Sequence, residues 1–175
     1  MLPSFAYHPD PIATGNVNVS DGACRCCGKT RGYIYIGSVY AIESLQNQLC
    51  PWCIADGSAA EKFDAQFSDA EPLIEAGLPS DVVQEVTRRT PGYSSWQQEV
   101  WLACCHDACE FHGDAPREEL QSLGGDRLSR LLTENALKPS DWPRVLEHYR
   151  PGGDFSVFRF VCRHCREPRY GFDLA

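Results

Sequence analysis

Short apolar runs alternate with glycine- and proline-rich breaks along this chain, and the runs predict its elements. Tyr33-Ile34-Tyr35-Ile36 is aromatic and β-branched, which suits a pleated, half-buried surface. It reads as a strand, Gly37-Ser38 as a turn, and Val39-Tyr40-Ala41-Ile42 as a return strand. Residues 59–63 read as a short helix that Ser58 could cap. Phe63 and Phe67, four apart, would share one face. A second helix starts near Ser80, with Asp81 in its first turn, where a negative charge suits the helix dipole. Val82, Val83 and Val86 form its apolar side, and Thr90-Pro91-Gly92-Tyr93 ends it.

Further along, residues 126–137 place Leu128, Leu131 and Leu132 on one helical face. Residues 140–149 read as another helix, with Pro143 in its first turn and Pro151-Gly152-Gly153 as its stop. Residues 155–161 alternate over part of their length and read as a strand. At the start, Pro9 and Pro11 forbid a helix and favour an extended arm, with Phe5, Tyr7 and Ile12 as groups to dock it. His8 and Asp10 on that arm could serve as a ligand or an acid–base pair; a pinned segment is the simpler reading. Pro91-Gly92 is the best boundary, giving an N-terminal half over 1–92 and a second half over 93–175. The chain is short enough for the halves to share a core.

Cysteine spacing changes this picture most. Cys24 and Cys27 form one CxxC pair, Cys50 and Cys53 a second, with twenty-two residues between them. That is the spacing of a four-thiolate zinc site, and the strand pair between the knuckles would bring the second pair back to the first. Cys26 could replace Cys24, although CxxC spacing favours Cys24 with Cys27. A second site is expected from Cys105 and Cys109 in front and Cys162 and Cys165 behind, with Cys104, His106, His112 and His164 as substitutes. The fold class that follows is α+β: two zinc-pinned β-hairpin units, zinc-ribbon-like, packed together with short helices between them. Two structural Zn2+ ions per chain are expected.

Ten cysteines without a basic, apolar leader at the start imply a cytoplasmic chain with reduced thiols; secreted, they could form five bridges. The formal net charge of −8 argues against a broad phosphate-binding surface, so direct nucleic acid binding is not expected. Thirteen of the sixteen basic residues are arginine. Arg88-Arg89 and the group Arg159, Arg163, Arg166 and Arg169 could touch phosphate, and pairing with carboxylates is the simpler expectation. No apolar run is long enough for a membrane span. There is no HExxH, GxxxxGK or GxSxG, so no catalytic residues are assigned.

The stretches F-A-Y-H-P-D-P-I-A-T-G, C-C-G-K-T-R-G-Y-I-Y and C-P-W-C-I-A-D-G-S-A-A-E-K-F-D, with W-Q-Q-E-V-W-L-A-C-C-H-D-A-C-E-F and the closing CxxC, resemble the bacterial CbrC-like family. The resemblance covers nearly the whole chain. It implies a bacterial, zinc-pinned protein associated with tolerance to a nuclease colicin, and Cys105 with Cys109 as the front pair of the second cluster. The expected function is therefore a non-enzymatic, immunity-type inhibitor whose partner is a basic nuclease toxin. Acidic surface from Glu61, Asp64, Asp69, Glu71, Glu75, Asp114, Glu118 and Glu119 would steer that encounter. The alternatives are a zinc-ribbon adaptor in regulation or nucleic-acid handling, for which only the C-terminal arginines fit, and a metal-dependent hydrolase.

Overall fold

A computed structural model describes residues 1–174. Short helices and three small antiparallel sheets make a mixed α+β fold. Among the described residues no helix is long and apolar enough to cross a membrane.

The first sheet differs from the expected hairpin. Strand β1 (Val17–Val19), from the N-terminal arm, pairs with β2 (Tyr33–Tyr35), Val17 opposite Tyr35. Residues 39–42 form no return strand; Tyr40 makes a single bridge to Gln66. The reason lies in Tyr35. Its N–H donates to the Leu49 carbonyl at 2.8 Å, and its hydroxyl donates to the Ser38 carbonyl at 2.8 Å. The ring therefore lies under the turn, and a Cβ at Gly37 would meet its hydroxyl at 2.4 Å. The chain is held away from β2 where the return strand would have to start.

Next come α1 (Pro51–Ala55) and α2 (Ser58–Phe63). The N-cap of α2 is Gly57, at φ 81°, and Asp56 Oδ1 before it accepts from the Ser58 N–H at 2.9 Å, so Ser58 opens the helix without capping it. Asp64 ends α2 with φ 46°, and Phe67 is buried beyond it on a different segment from Phe63. Helix α3 (Glu71–Glu75) had no sequence signal of its own. Helix α4 (Ser80–Arg89) matches the expected element and buries Val86.

The C-terminal elements are β3 (Ala103–Cys104), β4 (Asp107–Ala108), β5 (Glu110–Asp114), α5 (Arg117–Gln121), α6 (Gly125–Glu134), α7 (Trp142–His148), β6 (Phe155–Val161) and β7 (Pro168–Leu174). The sheet order is β5-β6-β7, all antiparallel. Tyr7 lies along β5, accepting the Phe111 N–H at 2.8 Å. On the other side, the Asn135 side chain donates to the Tyr170 carbonyl at 3.0 Å and accepts the Phe172 N–H at 2.8 Å.

Three apolar clusters form the core. The first gathers Phe5, Val17, Ile34, Leu49, Ile54 and Phe67 around Cys24, Cys50 and Cys53. The second stacks Tyr93, Trp101, Phe111 and Phe160 with Tyr7, Leu73 and Val86. The third lies under α5–α7 and contains Leu120, Leu131, Trp142 and Val157. The middle cluster draws residues from both sides of Pro91-Gly92, so apolar packing crosses that point. The arm is pinned there too, although Ile12 stays 40% exposed. His8 is fully buried; the Pro91 carbonyl can only accept, so Nδ1–H donates to it at 2.7 Å, and Thr14 donates to Nε2 at 2.6 Å.

Two predictions follow from this strap. A Cβ on residue 92 would sit 1.7 Å from the Phe67 carbonyl oxygen. Gly92→Ala should therefore lower the urea unfolding free energy by about 3 kcal/mol or more, since backbone on both sides must shift. Burial holds His8 neutral, bringing its pKa from 6.5 down to about 4 despite the Pro91 hydrogen bond. The unfolded chain takes up this proton below pH 6.5 and the fold does not, so stability present above 6.5 is lost as pH falls towards 4. Compared with His8→Gln, which cancels acid effects elsewhere, the native chain should lose an extra 2 to 3 kcal/mol, roughly, between pH 7 and 4.5.

Candidate metal centres

All ten cysteines are free thiols, and eight of them gather into two groups of four. Within each group the four sulfurs lie within 4.8 Å of one another. A tetrahedral ion with metal–sulfur bonds of about 2.3 Å requires sulfur–sulfur edges of about 3.8 Å. The observed separations are 3.9 Å for Cys24–Cys53, 4.0 Å for Cys27–Cys50 and 3.6 Å for Cys50–Cys53 in the first group. In the second, Cys104–Cys105 and Cys104–Cys165 are both 3.8 Å. Both groups fit a tetrahedral, thiolate-bound metal ion.

The first group is Cys24, Cys27, Cys50 and Cys53, as the spacing predicts. Gly28, at φ 70°, turns the first knuckle so that its N–H reaches the Cys24 carbonyl at 2.7 Å. The second knuckle is the start of α1: Cys50 precedes the helix and Pro51 takes its first position, where no N–H is needed. The Arg25 N–H to the Gln48 carbonyl, 2.8 Å, ties the knuckles together. The Cys24 sulfur receives the Cys50 N–H at 3.2 Å, and the Cys53 N–H goes to the Cys50 carbonyl at 3.1 Å. The Ser58 side chain lies against Cys53. Cys26 stands outside, with its thiol 3.6 Å from the Ser58 hydroxyl.

The second group corrects the expected ligand set. It consists of Cys104, Cys105, Cys162 and Cys165, and Cys109 is not in it. Cys109 is fully buried in the aromatic cluster, its N–H bonded to the Leu102 carbonyl and its own carbonyl accepting from the Trp101 indole, each at 2.9 Å. Adjacent cysteines on a strand would point to opposite faces. Here Cys105 and His106 form the two-residue turn between β3 and β4, both with positive φ, 54° and 58°. That turn sets aside the alternation and brings both sulfurs to one point. Two non-glycine residues in this conformation cost roughly 1 kcal/mol or more each, a strain that a bound ion would offset. Cys162 and Cys165 come from the turn joining β6 to β7, so two hairpin turns meet at this group.

Charge explains why a cation would suit each set of four. Burial opposes ionisation of Cys27, yet the Lys29 N–H and neighbouring thiols bring it down to about 7. Its neighbours move the other way: Cys50 goes up to about 11, chiefly through burial, and Cys53 higher still. In the second group, burial also opposes ionisation of Cys162, which the Cys165 and His164 N–H groups bring down to about 6. Cys105, crowded by the Cys104, Cys162 and Cys165 thiols, is pushed up to about 12. In each group one thiol is eased towards ionisation while Cys50 and Cys53, or Cys104 and Cys105, resist it.

The remaining candidates have other partners. His164 Nε2 lies 2.9 Å from Asp107, which also accepts from Tyr7 and Arg163. His112 faces Glu110 at 3.2 Å. Every C-terminal arginine singled out by sequence is paired: Arg159 with Glu119, Arg163 with Asp107, Arg166 with Glu110 and Arg169 with Glu134. Arg88 and Arg89 pair with Asp64 and Glu85.

The description of an uncharacterised protein family (UPF0167) matches residues 2–174. The chain belongs to the UPF0167 family. A UPF0167 protein of Pseudomonas aeruginosa is 51% identical over 99% of this chain and 97% of its own length. UPF0167 proteins of Mycobacterium bovis and Mycobacterium tuberculosis are each 46% identical over 81% of this chain and 74% of their own. No solved structure matches it. UPF0167 membership agrees with the expectation of a cysteine-rich bacterial family.

The revised ligand set gives a direct test. Elemental analysis of Cys104→Ala should show one metal fewer per chain than the native protein, and Cys109→Ala should keep the native metal content. The opposite pattern would restore Cys109 as the ligand.

Proposed function

We propose that this UPF0167 protein is a zinc-stabilised, non-enzymatic protein-binding protein that neutralises a basic nuclease toxin. The resemblance to CbrC-like proteins supplies the toxin class. Zinc is the ion that four clustered thiolates suit best, and each such site contributes on the order of 10 kcal/mol to the fold. Two complete four-cysteine sets leave no coordination position for a catalytic water, which supports a structural role over a hydrolytic one.

The observation that carries the binding reading is the uneven pairing of charge. Asp64 and Glu119 are paired with arginines, and Asp114 is half-buried and accepts from the Gly152 N–H. Glu71 and Glu75 on α3, and Asp81 on α4, are exposed and have no cation partner among the described residues. Between them Ile74 is 56% exposed. An apolar side chain framed by free carboxylates suits a basic cleft: the charges speed encounter and the apolar contact slows release.

An adaptor role in nucleic-acid handling has one observation of its own. Arg31 lies over the Trp52 ring at 5.2 Å, and Arg25 and Lys62 over Phe63 at 5.9 and 5.1 Å, all beside the first tetrad. Aromatic rings with cations are what single strands stack on. Salt-dependent anisotropy with a labelled single-stranded oligonucleotide would detect it.

The toxin reading is tested by challenge of cells with nuclease colicins. The native protein should protect, and a combined Glu71→Lys, Glu75→Lys and Asp81→Lys variant should lose at least tenfold of that protection while keeping two metals. Equal protection by the variant, or none by the native chain, would refute the reading.

A further inference from the structure

The two tetrads are built differently. In the first, Cys24, Cys50 and Cys53 are at most 2% exposed, the Cys24 sulfur receives the Cys50 N–H at 3.2 Å, and the Ser58 hydroxyl lies 3.4 Å from the Cys53 carbonyl. In the second, only Cys162 is buried; Cys104 is partly covered, and Cys105 and Cys165 are exposed. Donors are divided the same way. Cys162 receives the Cys165 N–H at 3.4 Å, and Cys104 receives the Arg169 guanidinium at 3.4 Å. The contacts of the Cys105 and Cys165 sulfurs among the described residues are to other thiols. Hydrogen bonds to a thiolate spread its charge and blunt it as a nucleophile. Exposure and the lack of a donor thus select the same two sulfurs, which approach each other within 4.8 Å from different turns.

We infer that Cys105 and Cys165 form a site of oxidation by hydroperoxides, at which a disulfide between them replaces the second metal ion while the first tetrad keeps its own. The balance is simple. One exposed thiolate attacks the O–O bond of the hydroperoxide, and the alcohol leaves with one proton. The resulting sulfenic acid is attacked by the other exposed thiolate, forming the S–S bond and releasing water with a second proton. Two electrons pass from the two sulfurs to the two oxygens. The divalent ion departs, and the Cys104 and Cys162 thiolates each take up a proton. The new bond then ties the β3–β4 turn to the β6–β7 turn in place of the ion.

The inference rests on both tetrads holding metal. A metal count on the native full-length protein before oxidation tests that premise alone; fewer than two ions would overturn both. The two-zinc protein is then treated with tert-butyl hydroperoxide beside a chromogenic zinc chelator. The expected result is release of one equivalent at least ten times faster than the second. After blocking of free thiols and digestion with trypsin, Cys165 lies in peptide 164–166, separate from Cys162 in peptide 160–163. Peptide 164–166 should be found linked to peptide 90–117, with fragmentation placing the bond on Cys105. Cys109→Ala, which lies outside both tetrads, should release metal at the native rate. Release of both ions together, retention of both, or a bond through Cys109, Cys162 or the first tetrad would overturn the inference.

Discussion

Four sulfurs held within 4.8 Å of each other cannot all ionise unless a cation joins them, and this protein imposes that condition twice. Much of the remaining architecture serves to meet it. The first set closes a core in which helices α1 and α2 are only five and six residues long, too short to persist unaided. An ion in the second would fasten two hairpin turns that the Asp107 contacts to Arg163 and His164 already bring together. A chain of this size gains from such staples because its three apolar clusters are each small.

The parts legible in the sequence were those set by local chemistry. Helix α4 was marked by Pro79, Asp81, its valines and the Pro-Gly stop, and the first tetrad by two CxxC pairs. The failures came where a distant contact decides. No local pattern says that the Tyr35 hydroxyl lies under its own turn, and this removed the return strand and let β1 pair with β2. Cys109 was paired with Cys105 on a Cys-x3-Cys spacing, which is less diagnostic than CxxC, and on the family resemblance. Its place in the aromatic cluster follows from Trp101, Phe111 and Phe160, which meet only in the folded chain. The usable clue was the tetrapeptide Cys104-Cys105-His106-Asp107 between two alanines, whose turn geometry brings neighbouring cysteines together.

Charge is arranged with the same economy. The arginines that might have made a basic face are paired with carboxylates from other elements, such as Arg127 with Glu167 and Arg159 with Glu119. They act as cross-links between α5, α6 and the C-terminal sheet. Exposed pairs of this kind contribute roughly 0 to 1 kcal/mol each, so their larger effect is on the field outside. Exposed carboxylates without an arginine partner remain on α3 and the start of α4, and also on α2, α5 and α6 at Glu61, Glu118 and Asp126.

The C-terminal sheet is flanked on both sides. Tyr7 occupies the free side of β5, and Asn135 mimics a peptide group against the middle of β7. At these positions a partner strand or a second copy of the chain would find the edge backbone already engaged. Recognition at this sheet would therefore fall to side chains, whose surface substitution can change specificity while the scaffold beneath stays the same.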